Sequence, residues 1–210
     1  MILYGSAASG EYLPRHSDVN LIVILDDTSL GNLGRAYSLV NKKCFADLKI
    51  LFFTKEYIDS SLDAFPIEFL DMKDNHMVLC GNDILSGISI DTKNLRFQCE
   101  QELKSKILLL KAGYLKTEDT RKLKEMLFKV FTSSIHILRN LIRIKGENPP
   151  YLKEEIIAAV ERHFKINGVN FNRVLQAKRM GMKLGHKEVD MLLTDLTRDL
   201  EQIADIVDRI

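Results

Sequence analysis

A glycine turn, a pair of polar side chains and one lone acid are the residues of this chain best suited to chemistry. Gly5-Ser6 follows the short apolar run Met1 to Tyr4, and Gly10 sits four residues past Ser6. Ser17-Asp18-Val19-Asn20 then opens an aliphatic run, Leu21 to Leu25. A strand repeats its side-chain direction every second residue, so Asp18 and Asn20 share a face. A turn as small as Gly5-Ser6 lets backbone amides come close to a bound anion. The plainer alternative for Asp18 and Asn20 is capping of the turn after Ser17. The lone acid is Glu68, set among Ile67, Phe69 and Leu70. An acid in apolar company is costly unless it is paired or metal-bound. A salt bridge to a nearby lysine, or exposure on an edge strand, would satisfy it equally.

Gly5, Ser6, Gly10, Ser17 and Asp18 in this order resemble the nucleotidyltransferase superfamily, the fold of polymerase-beta-type and kanamycin-type enzymes. Its motif is an apolar strand, Gly-Ser, a loop of roughly ten residues, then Asp-x-Asp on the next strand. The resemblance is carried by residues 2 to 25 and extends to about residue 90 by the order of elements. It implies that the two motif acids hold Mg2+ on the triphosphate of a nucleotide, ATP above all. A third carboxylate, from a later strand, helps deprotonate the acceptor hydroxyl. Asp18 fills the first acidic position, and Asn20 stands where the second aspartate belongs. Glu68 is the first candidate for the third carboxylate, then Asp71, then Asp47. Ser6 and the backbone around Gly5 would hold the terminal phosphates, with Ser17 bracing Asp18. Arg15, His16 and Tyr12 in the loop are secondary contacts at most.

The implied chemistry is in-line displacement at the α-phosphorus, with one or two metal ions steadying the attacking and leaving oxygens. Magnesium favours hard oxygen ligands. Asp18, Asn20 and Glu68 are the expected metal set, and Asp18 and Glu68 the expected catalytic pair. Asn20 brings only a neutral carbonyl oxygen, so the cluster loses a negative charge where electrostatics matters most. Two functions follow. One is transfer of a nucleoside monophosphate to an unknown hydroxyl acceptor, weakened or lost by Asn20. The other is a non-catalytic module that binds nucleotide or a partner, an antitoxin-like role included.

The elements around these residues read as α+β: a small mixed-sheet domain over residues 1–92, then an all-α bundle over 93–210. Strands are expected at Ile2 to Tyr4, at Leu21 to Leu25 (buried on both faces), at Leu48 to Thr54 and at Ile67 to Met72. Helices are expected at Leu30 to Lys42 and after Thr54, a candidate N-cap. Asp26 and Asp27 read as a strand-end turn or helix cap in preference to metal ligands. The family usually has a helix before the first strand. Either this chain dispenses with it or its start is truncated; a missing flanking helix would expose sheet surface and favour a homodimer.

After residue 90 the strand signal stops. Apolar stripes predict helices over Asn94 to Lys116, Glu118 to Ile144, Tyr151 to Phe164, Asn170 to Met182 and His186 to Ile210. A small α+β domain followed by helices also resembles nucleotidyltransferases paired or fused with helical HEPN domains. HEPN ribonucleases carry an arginine and a histidine separated by four to six residues. Arg179 and His186 have that spacing, but Met180, Gly181 and Gly185 between them read as coincidence.

Composition narrows the rest. Forty-six per cent of the 210 residues are apolar, enough for a proper core, and the net charge is only +1. Such a balance implies no nucleic-acid partner by charge. Cys44, Cys80 and Cys99 are odd in number and far apart, which suits a reduced, cytoplasmic protein. No apolar run approaches the ~20 residues of a membrane span, and no signal peptide is read at the start.

Overall fold

The computed structural model describes residues 1–9, 18–40 and 48–210. Gly10, Tyr12, Arg15, His16, Ser17, Cys44 and Asp47 lie outside the described residues. The class is mixed α+β, with a four-stranded sheet and, among the described residues, nine helices. The chain divides into two compact units, Met1–Asn94 and Leu95–Ile210.

The first unit runs β1 (Ile2–Tyr4), α1 (Ser6–Ser9), β2 (Val19–Ile24), α2 (Leu30–Val40), β3 (Leu48–Phe53), α3 (Lys55–Ser61), α4 (Pro66–Asp74) and β4 (His76–Val78). The sheet order is β3-β2-β1-β4. β1 is antiparallel to both β2 and β4, whereas β2 and β3 are parallel. Parallel neighbours need a crossover, and α2 lies in that connection. Thr54 caps α3, its Oγ1 accepting from the Tyr57 amide at 3.0 Å. Asp27 accepts from the Ser29 amide at 2.7 Å and from the Ser29 hydroxyl at 3.1 Å, and also from the Asn32 side chain. Its oxygens therefore serve a turn leading into α2.

Two expectations need correction. β2 is not buried on both faces: Ile22 is buried, whereas Leu21 and Val23 are half-buried. The core lies on one side, where Ile2 and Ile22 meet Ile58, Phe69, Met72, Leu85 and Ile88. An aliphatic run suits a pleated strand whether one face or both are covered. The second correction concerns Ile67 to Met72, which is helix and not strand. Pro66 occupies the first helical turn, where a missing amide proton costs nothing. Pro66, Phe69 and Met72 are buried at a three-residue spacing, a helical stripe that a short apolar run conceals. Glu68 is consequently an exposed acid in the first turn of α4, the end of a helix that favours negative charge.

The second unit is a helical bundle of α5 (Thr92–Tyr114), α6 (Thr120–Ile144), α7 (Lys153–Phe164), α8 (Val169–Arg179) and α9 (His186–Asp208). α6 is its centre, packing against α7, α8 and α9. The stripe predicted for α6 is buried in full, from Leu123 through Leu127, Val130, Phe131, Ile135 and Leu138 to Ile142. Phe131 meets Phe171 of α8 with ring centroids 6.3 Å apart. Asp119 caps α6 by accepting from the Arg121 amide at 2.8 Å. α5 is tied to α9 by Arg96, which donates to the Val207 carbonyl at 3.0 Å, and by the Lys111–Glu201 pair at 2.6 Å. Tyr114, expected in the apolar stripe of α5, is partly exposed and gives its hydroxyl proton to Asp190 at 2.5 Å. Neither Cys80 nor Cys99 is in a disulfide. No helix of the described residues is long and apolar enough to cross a membrane.

Candidate functional site: a polar row across the sheet

Strand register assembles the site. Tyr4 lies opposite Asn20 on β2 and opposite His76 on β4, and Asn20 lies opposite Lys49 on β3. Side chains at paired positions share a sheet face. His76, Tyr4, Asn20 and Lys49 therefore form one polar row across all four strands. The next row on that face, Val78, Ile2, Ile22 and Leu51, is apolar and leads into the core. The polar row marks the border at which the core ends.

Asp18 joins this row through Lys49. Its Oδ2 is 2.6 Å from the ammonium, and both side chains are more than half exposed, at 52% and 66%. The hydrogen bond and charge of Asp18 hold the Lys49 pKa above the ordinary lysine value. So exposed a pair contributes little to stability. Tyr4 is half-buried, and burial raises its phenol pKa while the charge of Lys49 opposes the rise. His76 is anchored at both nitrogens, with Nδ1 2.7 Å from the Lys73 carbonyl and Nε2 3.1 Å from Asp83.

Gly5 closes the row from above. Its φ of +74° is a conformation that L side chains rarely adopt. A Cβ at this position would approach Asn20 Nδ2 to 3.2 Å. The Gly5 amide donates to the Asn75 carbonyl at 2.9 Å, which pins the turn beside β4. Ser6 begins α1 directly after it.

Gly5, Ser6, Asp18 and Asn20 thus sit at one end of the sheet. Glu68 sits elsewhere: it lines an apolar hollow with Leu51, Phe53, Tyr57, Phe65 and Phe69. Leu51 and Phe53 are two and four residues beyond Lys49, about 7 and 13 Å along β3. Asp71, the second candidate, is half-buried on α4. Among the described residues no three of His, Cys, Asp and Glu gather to hold a metal ion. Magnesium asks for several hard, mostly anionic oxygens. Of Gly5, Ser6, Asp18 and Asn20, Asp18 alone brings a carboxylate, and that is shared with an ammonium.

Lys49, Tyr4 and His76 were missed in the sequence. The available signal was Lys49 itself, a lone cation in the apolar strand Leu48–Phe53. Its importance depends on a register that no local pattern reveals.

In the bundle, Arg179 and His186 go separate ways. Arg179 pairs with Glu154 at 2.5 Å, whereas His186 lies 3.1 Å from the Thr120 hydroxyl. Comparison of the chain with protein-family models, curated proteins and solved structures finds no match.

Proposed function

We propose that the first unit is a nucleotidyltransferase-like domain that has given up metal-dependent transfer and serves as a binding module for a nucleotide-class anion. The observation that carries this reading is the Asp18–Lys49 pair beside Asn20. A lysine in register with Asn20 supplies positive charge where the resemblance implies a metal ion. It neutralises the single acid that the motif retains. An ammonium is a sound phosphate partner as a point charge. Removal of a negative charge at Asn20 and addition of a positive one at Lys49 act in the same direction. Both weaken affinity for a divalent cation and favour an anion.

The test is a transfer assay with labelled ATP alongside calorimetric titration of ATP with and without Mg2+. The expected result is no AMP transfer, and nucleotide binding that does not need magnesium and weakens in Lys49→Ala. The double variant Asn20→Asp, Lys49→Glu should reverse the preference and make binding magnesium-dependent. Magnesium-dependent transfer by the natural chain, abolished in Asp18→Ala or Asp47→Ala, would overturn the proposal and restore an enzyme.

A further inference from the structure

Where α7 begins and α8 ends, the second unit has a hollow of about 410 Å3. Tyr151, Lys153, Glu154, Leu175, Lys178 and Arg179 line it. The electrostatics of this lining are unbalanced in an informative way. Lys178 and Arg179 lie in the last turn of α8, where cations suit the helix dipole. Lys153 is the first residue of α7, where a cation opposes the dipole. Leu152, the N-cap of α7, offers no side-chain bond to the amides of that turn. The one acid of the lining, Glu154, is taken by Arg179 at 2.5 Å. Lys178 donates to the neutral Thr132 hydroxyl. No carboxylate among the described residues pairs with Lys153 or Lys178. Lys153 acts on both neighbours: Glu154 is held low first by its own backbone amide, then by Arg179 and Lys153, while burial, and then the charge of Lys153, lower the Lys178 pKa.

Like charges held around a cavity are resolved by an anion between them. The rest of the lining says what kind. Tyr151 is 56% exposed, with the Arg139 guanidinium over its ring at 4.7 Å from the centroid. Leu175 gives the hollow a buried apolar wall. A planar ring beside cations is the combination that holds bases and phosphates together.

We propose that this hollow is a binding site for a nucleoside phosphate, with the phosphate between Lys153 and Lys178 and the base against Tyr151. The chemistry is the same for a free nucleotide and for one nucleotide of a single strand. The site is separate from Lys49 and stands whether or not the first unit binds nucleotide.

The experiment is calorimetric titration of the full chain with AMP, with inorganic phosphate and with a short single-stranded oligoribonucleotide, at low and high salt. Either nucleotide probe should bind at low salt and weaken as salt rises. Titrated in the Lys49→Ala background, which removes the site proposed for the first unit, the added pair Lys153→Ala, Lys178→Ala should weaken the remaining binding about tenfold or more. Tyr151→Leu should weaken AMP and spare inorganic phosphate. AMP binding comparable to the oligonucleotide supports a free nucleotide, and much tighter oligonucleotide binding supports a strand. The thermal midpoint of Lys153→Ala should hold or rise, because a repulsion is relieved, so lost affinity is not lost fold. Absence of binding by both nucleotide probes at low salt, or binding indifferent to the added pair, would overturn the proposal.

Discussion

Gly5 is the residue on which the end of the sheet turns. Its positive φ strains any L side chain, and a Cβ there would press on the Asn20 amide at 3.2 Å. Gly5→Ala should cost about 1–2 kcal/mol from the left-handed backbone alone, and it should push the Asn20 amide out of the polar row. Chemical denaturation gives the first effect, and the Asn20 side-chain amide resonances give the second. Asp83 acts at the His76 end of the row. It accepts from the Ser86 amide at 3.0 Å, from the Leu85 amide at 3.1 Å and from His76. These bonds, that to Ser86 first, hold its pKa below the ordinary carboxylate value. A folded-state pKa below the unfolded one means that the unfolded chain binds this proton more readily. The stabilisation is therefore present above about pH 4 and is lost as pH falls through the folded pKa. The stability gap between the natural chain and Asp83→Asn should accordingly narrow in acid. A gap that stays constant from neutral pH to well below pH 4 would count against the role of these bonds.

Among the elements, α3 and α4 decide how the sheet face is covered. α3 starts where the Thr54 hydroxyl satisfies the Tyr57 amide. Thr54→Ala should destabilise the first unit by about 1 kcal/mol, and Thr54→Ser should restore most of that, both read by denaturant midpoint. α4 matters in a different way. As a helix it turns Glu68 toward solvent and Phe69 and Met72 toward Ile2 and Ile22. Under the binding-module reading Glu68 holds no ligand. Glu68→Gln should then leave nucleotide affinity within experimental error, whereas Lys49→Ala weakens it. A large loss in Glu68→Gln would return that acid to the site.

For the whole molecule, the division at Asn94 separates two cores with different architecture. The bundle core is centred on Phe131 and Phe171, both fully buried. Phe171→Ala should cost about 3–5 kcal/mol, as truncation of a buried aromatic does. The two units are expected to open as separate cooperative regions. Hydrogen exchange should therefore show faster exchange in α6, α8 and α9 of this variant, with the amides of β2 and β3 protected as before. Equal loss of protection in the sheet would mean that the two units unfold as one.

Most elements were legible in the sequence because they obey local rules. The stripe from Leu123 to Ile142 repeats at helical spacing, so α6 could be drawn almost to its ends. Thr54 announced a cap, and Leu48–Phe53 a strand. Ile67 to Met72 failed because a run so short fits either period, and burial of Phe69 and Met72 against the sheet settled it as helix. The Gly5-Ser6 turn and the shared face of Asp18 and Asn20 were also local facts. What the sequence by itself determined is thus most of the succession of elements, α4 and β4 excepted, and the change to all-helix after residue 90. Only the tertiary structure decided what stands beside Asn20. The parallel pairing of β2 with β3 brings in Lys49 across 29 residues of chain, and β1 brings Tyr4 and His76 to the same row. The packing of α7 against α8 likewise sets Lys153 opposite Lys178. Register and helix packing are fixed by burial summed over whole faces, so no local pattern carries them.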